Sequence, residues 1–87
     1  MTEAIQTSIS RAIREFLAEL VEVPLAEIPE DADLRQELDV DSLQQLELVG
    51  LLEERFGVRL DAEDLSQVSS IQELSGRAAQ NLGRQGE

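Results

Sequence analysis

Eighty-seven residues suffice for one hydrophobic core and leave little room for an enclosed catalytic cavity beside it. With no Cys and no His, the chain lacks disulfides, thiolate chemistry and the commonest general base and metal ligand. Nineteen acidic residues against seven basic ones, all Arg, give a net charge of -12, which repels nucleic acid and favours partners with basic surfaces.

The amino-terminal residues show no basic stretch leading into an apolar run, and no apolar segment approaches the length of a membrane span, so a cytoplasmic protein is expected. Crowding of so many carboxylates predicts folded pKa values raised by mutual repulsion. Thr2 can cap a first helix over about residues 3–20, with Ile5, Ile9, Ile13, Phe16, Leu17 and Leu20 at helical spacing. Arg11, Arg14, Glu15 and Glu19 fill its other face and read as solvation alone.

From Val21 to Asp41 the periodicity dissolves into a long, acidic, Pro24- and Pro29-containing connection. Leu25, Ile28, Leu34 and Leu38 can anchor it as an ordered crossover, letting the first two long helices lie up-down with their apolar arcs facing. Its alternating acids, Asp31, Asp33, Glu37, Asp39 and Asp41, suggest an EF-hand, but the template fails. Counting from Asp31 puts Arg35 at the fifth position, Gln36 where the turn glycine belongs and Ser42 where the bidentate Glu belongs. No specific metal site is expected.

Asp39-Val40-Asp41-Ser42-Leu43 then opens a strong helix pattern ending at Phe56-Gly57, where Gly57 can supply a left-handed cap. Two capping boxes compete at its start, Ser42 with Gln45 and Asp41 with Gln44. In the second register Ser42 is the first helical residue and its hydroxyl is left free at the positive end of the helix dipole, a suitable place for a phosphate ester. At about 100° per residue, Leu48, Val49, Leu52 and Phe56 share a core-facing arc. Leu43, Leu46 and Gly50 lie roughly opposite, bordered by Glu47, Glu53 and Glu54; two singly exposed leucines would be ordinary, and the alternative is a docking surface for an apolar, basic partner.

Beyond Gly57, Asp61 caps one turn or so of helix over Asp61 to Leu65. Ser70-Ile71-Gln72-Glu73 is a further capping box, starting a last helix with Ile71, Leu74, Ala78 and Leu82 as its apolar stripe. Gly83 should end that helix and leave 84–87 as a tail.

Asp39-Val40-Asp41-Ser42-Leu43, with Glu47-Leu48-Val49, Leu52-Glu53-Glu54-Arg55-Phe56-Gly57 and Ser69-Ser70-Ile71, resembles the acyl carrier proteins of fatty acid and polyketide synthesis, from about Ile5 to Leu82. The resemblance implies a single carrier domain over residues 1–87, ordered about 3–82. Its fold is an all-α, small up-down bundle of three main helices plus one short helix, with a long ordered loop between helices one and two. It also implies that Ser42 carries 4′-phosphopantetheine from coenzyme A, whose terminal thiol holds acyl groups as thioesters. Asp41 then helps a phosphopantetheinyl transferase position magnesium and coenzyme A, and acyltransferases or ketosynthases read the face around Leu43, Leu46 and Glu47. Such a protein is a stand-alone monomeric carrier and cosubstrate, not an enzyme. Asp-Ser-Leu favours the acyl type over peptidyl or aminoacyl carriers, which usually show Gly-Gly-x-Ser; outside carriers, the alternative is an unmodified acidic adaptor for a basic partner. Two positions depart from the family. Asp39 stands where Gly is usual, which strains any positive φ there, and Gly50 stands where a bulkier apolar residue is common.

Overall fold

Ile9, Ile13 and Leu17, spaced on one face, are fully buried and seat the first helix, α1 (Thr2–Val21), chiefly against the last one. The computed structural model describes residues 2–85, with side-chain burial from 4 to 82. Already helical at Thr2, α1 begins one residue before the start that a Thr2 cap predicts. It closes without a glycine: Glu22 takes φ +57° and the Val23 N–H donates to the Ala18 carbonyl at 3.1 Å, a Schellman closure.

The chain then crosses, through a short 3-10 turn at Leu25–Glu27, to α2 (Ser42–Phe56), α3 (Ala62–Ser66) and α4 (Ile71–Gln85). Among the described residues there is no strand, only an isolated bridge between Asp33 and Ser70, so the expected all-α bundle of three main helices and one short helix is what forms. α1 packs on α2 as expected, but less extensively than on α4. At the α1–α4 crossing a Cβ on Gly76 would stand 3.5 Å from the Gln6 amide nitrogen, an ordinary contact, so packing there does not require the glycine.

The crossover loop is ordered by burial and by hydrogen bonds. Ile28 and Leu34 are buried as anticipated, while Leu25 and Leu38 are half-buried. Ala32 and Val40, which periodicity cannot single out in a loop, are buried with them. The Leu34 N–H donates to Ser69 O at 2.8 Å and the Ile71 N–H to Ala32 O at 3.1 Å, stitching the loop to the start of α4. Arg14 does more than solvate α1: its Nε donates to the Ile28 carbonyl at 2.8 Å and its Nη1 lies 4.0 Å from Glu30. Arg11, by contrast, only meets Glu15, at 3.2 Å on an exposed face.

The later boundaries follow local chemistry. Gly57 takes φ +71° and caps α2. Asp61 caps α3 through a reciprocal box with Asp64. The Ser70 box with Glu73 starts α4, Glu73 N–H to Ser70 Oγ at 3.1 Å and Ser70 N–H to Glu73 Oε1 at 3.2 Å. At the other end the expectation fails. Gly83 keeps a helical backbone and α4 continues to Gln85, because a glycine ends a helix only when it turns left-handed. Residues 86 and 87 of the anticipated tail lie outside the described residues.

Candidate functional site

The approach to α2 is a sequence of short constraints. The Glu37 and Leu38 N–H groups both donate to the Asp33 carbonyl, at 3.1 and 3.2 Å, and the Val40 N–H donates to Leu34 O at 2.8 Å. Between them Asp39 takes φ +56°, the left-handed conformation for which glycine is the usual residue. Val40 then drops into the core, 3% exposed, which turns Asp41 outward.

Asp41 is extended, at φ −90° and ψ 179°, and its carboxylate accepts the Gln44 N–H at 2.8 Å while Gln44 Oε1 accepts the Asp41 N–H at 3.0 Å. The competing Ser42–Gln45 box does not form. Gln45 is buried, 6% exposed, and its side chain makes no hydrogen bond back to the Ser42 N–H. Ser42 is therefore the first helical residue. It is exposed, and among the described residues its hydroxyl makes no hydrogen bond. Its own N–H and that of Leu43 are the two donors that the Asp41 cap leaves open. An exposed, unengaged hydroxyl beside open amides at the positive end of a 15-residue helix fits a phosphate diester in both geometry and charge.

The two faces of α2 separate as the wheel requires. Leu48 and Leu52 are fully buried, and Val49 and Phe56 pack half-buried against the same core. Leu43 and Leu46 are 66% and 61% exposed, with Glu47 and Gly50 exposed beside them. A Cβ built on Gly50 would meet nothing within 4 Å, so packing within this chain does not require the glycine. Glu53 and Glu54 are exposed too, but they stand about 17 Å farther along the helix axis from Ser42, by the rise per residue. Glu53 instead overlooks a cleft of about 660 Å³ bounded by Arg59, Asp61, Asp64, Arg77 and Asn81.

That cleft holds a cluster the sequence did not disclose. Asn81 Nδ2 donates to the Arg59 carbonyl at 2.9 Å and to Asp64 Oδ2 at 3.1 Å, Arg77 Nη1 lies 3.6 Å from Asp64, and Arg77 also donates to Gln67. Together they fasten α3 to α4 through side chains distant in sequence. Burial pushes the Asp64 carboxyl up, but the Asp61 N–H, the Asn81 amide and the Arg77 guanidinium outweigh it and hold its pKa below the ordinary value. Glu73 is also lowered, first by the Ser69 hydroxyl at 2.7 Å, then by the N–H groups of Ser69 and Ser70. Both clear shifts run opposite to the rise expected from crowding, because hydrogen bonding to the charged form acts at contact while repulsion between exposed carboxylates is screened.

The burial of Gln45 has a signal in the sequence. It stands three and seven residues before Leu48 and Leu52, on the core arc itself.

The family model for the phosphopantetheine attachment site matches residues 11–78. Polyketide-8 synthase acyl carrier protein 2 of Streptomyces avermitilis is 38% identical over 73 residues, covering 83% of this chain and 84% of that protein. An acyl carrier protein of Saccharopolyspora erythraea is 38% identical over 63 residues, 72% of this chain and 66% of its own. One of Solidesulfovibrio magneticus is 33% identical over 66 residues, 76% of this chain and 85% of its own. With the match running from within α1 into α4, across the whole crossover loop and α2, the chain belongs to the acyl carrier proteins, whose cofactor is 4′-phosphopantetheine.

Proposed function

We propose that the described residues act as one carrier domain whose Ser42 is the point of phosphopantetheine attachment, and that the protein serves enzymes of fatty acid or polyketide-type synthesis as a cosubstrate. The observation that carries this reading is the free, exposed Ser42 hydroxyl, displaced from capping by Asp41. In attachment, Ser42 Oγ loses its proton and forms an O–P bond as the P–O bond to the adenosine diphosphate part of coenzyme A breaks. Once bound, the group supplies a thiol for thioester exchange. Asp41 keeps one carboxylate oxygen on the Gln44 N–H, and the other would help the transferase position magnesium and coenzyme A. The polyketide synthase carrier among the relatives supports the polyketide alternative.

Leu43, Leu46, Glu47 and Gly50 form the face that a ketosynthase, acyltransferase or phosphopantetheinyl transferase with a basic rim would meet, with Glu53 and Glu54 extending its charge toward the far end of α2. No described helix is long and apolar enough to cross a membrane, and a cytoplasmic location accords with this proposal. Incubation with coenzyme A, magnesium and a broad-specificity transferase tests it. Intact mass should rise by one phosphopantetheine in the parent chain and stay unchanged in Ser42→Ala; a gain in the Ala variant, or none in the parent with several transferases, overturns it.

A further inference from the structure

All seven basic residues are arginines, and the fold accounts for that choice at some of them only. At Arg14 and Arg77 the geometry calls for a guanidinium. Arg14 sends Nε to the Ile28 carbonyl while Nη1 approaches Glu30, and Arg77 reaches Gln67 through Nη2 and Asp64 through Nη1. Each spreads separate nitrogens of the planar fork over two partners, which an ammonium cannot copy. At Arg11, Arg35 and Arg55 nothing of the kind holds. Arg11 meets Glu15 through one nitrogen, on a side chain 73% exposed. Arg35 and Arg55 are exposed, and their side chains make no hydrogen bond or ion pair among the described residues. Lysine would supply the same charge at these places.

What lysine would add is a nucleophile. Its ammonium has a pKa of about 10.4, so a small fraction is free amine near neutrality, whereas a guanidinium stays protonated throughout. The chain also has no Cys, His or Tyr, so no side chain offers a thiolate, an imidazole or a phenolate. Position gives this composition its weight. Arg55 stands in the last turn of α2, about 20 Å from Ser42 along the helix axis by the rise per residue, a distance comparable with the extended phosphopantetheine arm. Arg35 adjoins the other end of α2. The Leu34 carbonyl accepts the Val40 N–H at 2.8 Å, which brings the chain at Arg35 back beside the approach to Ser42.

We propose that Arg35 and Arg55 keep the surface swept by the arm free of amines, so that the loaded chain does not acylate itself. The inference rests on the Ser42 attachment proposed above. The reaction forestalled is aminolysis of the thioester. A nitrogen lone pair adds to the carbonyl carbon, the C–S bond breaks, and the sulfur leaves as a thiolate that takes up the proton shed by the nitrogen. The acyl group then sits in an amide, from which thioester exchange cannot recover it. Tethering at Ser42 would give such an amine an effective concentration on the order of mM for as long as the cargo waits. Arginine keeps the positive charge and removes the lone pair.

The experiment loads the parent, Arg35→Lys and Arg55→Lys from acetyl-coenzyme A with a broad-specificity transferase, with loading verified by intact mass. Each chain is then held between neutral and mildly alkaline pH and treated with hydroxylamine, which cleaves thioesters and spares amides. In the lysine variants a hydroxylamine-resistant acetyl group should accumulate on the introduced side chain, located by peptide mass. Its rate should rise about tenfold per pH unit below the lysine pKa and stay unchanged on dilution, as an intramolecular step requires. The parent should accumulate none on its side chains. Variants that keep their cargo as long as the parent does, or whose transfer slows on dilution, overturn the proposal and leave the Ser42 reading intact. A parent that acylates its own side chains overturns it equally. A chain that never loads shows this in its mass and removes both readings together.

Discussion

Asp41 and Gln44 exchange two hydrogen bonds, carboxylate to N–H at 2.8 Å and N–H to amide oxygen at 3.0 Å, and so close the start of α2 one residue before Ser42. The cap and the proposed attachment residue are thereby different, and substitutions can separate them. Asp41→Ala should cost about 0.5–2 kcal/mol of stability as a lost N-cap. Asp41→Asn preserves the cap, so its melting temperature should stay near that of the parent while the initial rate of phosphopantetheine transfer falls. Thermal melts and a mass-resolved time course check both; equal transfer by the Asn variant would confine Asp41 to capping.

Leu46 and Leu52 test the two faces of α2. Leu52 is fully buried, and Leu52→Ala should destabilise by about 2–5 kcal/mol through lost burial and the cavity left behind. Leu46 is 61% exposed, and Leu46→Ala should change stability by about 0.5 kcal/mol or less while speeding dissociation from a ketosynthase or transferase. Glu47→Lys should instead slow association and reduce its salt dependence, since long-range charge acts on encounter. Denaturant melts and binding kinetics distinguish the three.

Asp39 carries backbone strain where the family usually places glycine. At φ +56° the penalty for an L-residue is roughly 1–2 kcal/mol, against which glycine brings about 0.4–1 kcal/mol of extra unfolded-chain entropy. Asp39→Gly should therefore stabilise by about 0.5–1 kcal/mol, read from the denaturation midpoint at unchanged slope. A loss of stability would show that the Asp39 side chain offsets its own strain.

Acid should loosen the anchorage of α3 and α4. The folded pKa values of Asp64 and Glu73 lie below their ordinary values, so their stabilising contribution is present above the unfolded carboxylate range and is lost as pH falls through the folded values. Glu73→Gln should lower the melting temperature at neutral pH, because an amide accepts more weakly from Ser69 and Ser70, and the difference from the parent should shrink toward pH values below about 4. Melts recorded across that range test the sign; a gap that widens in acid contradicts it.

Local chemistry alone determined much of this protein. Capping at Asp61 and Ser70, the left-handed end at Gly57 and the two faces of α2 each depend on residues within a turn or two of one another, so the sequence contains the whole cause. It left the register of Ser42 open between two equally good boxes, and the tertiary structure decided it. The core takes Val40 on one side of the cap and Gln45 on the other, and with Gln45 buried only the Asp41–Gln44 box can close. The order of the crossover loop, the role of Arg14 and the fastening of α3 by Arg77 and Asn81 have the same character. Each joins groups 10 or more residues apart, such as Arg14 with Ile28 or Asn81 with Arg59, and a contact across such a separation leaves no periodic trace in the chain that makes it.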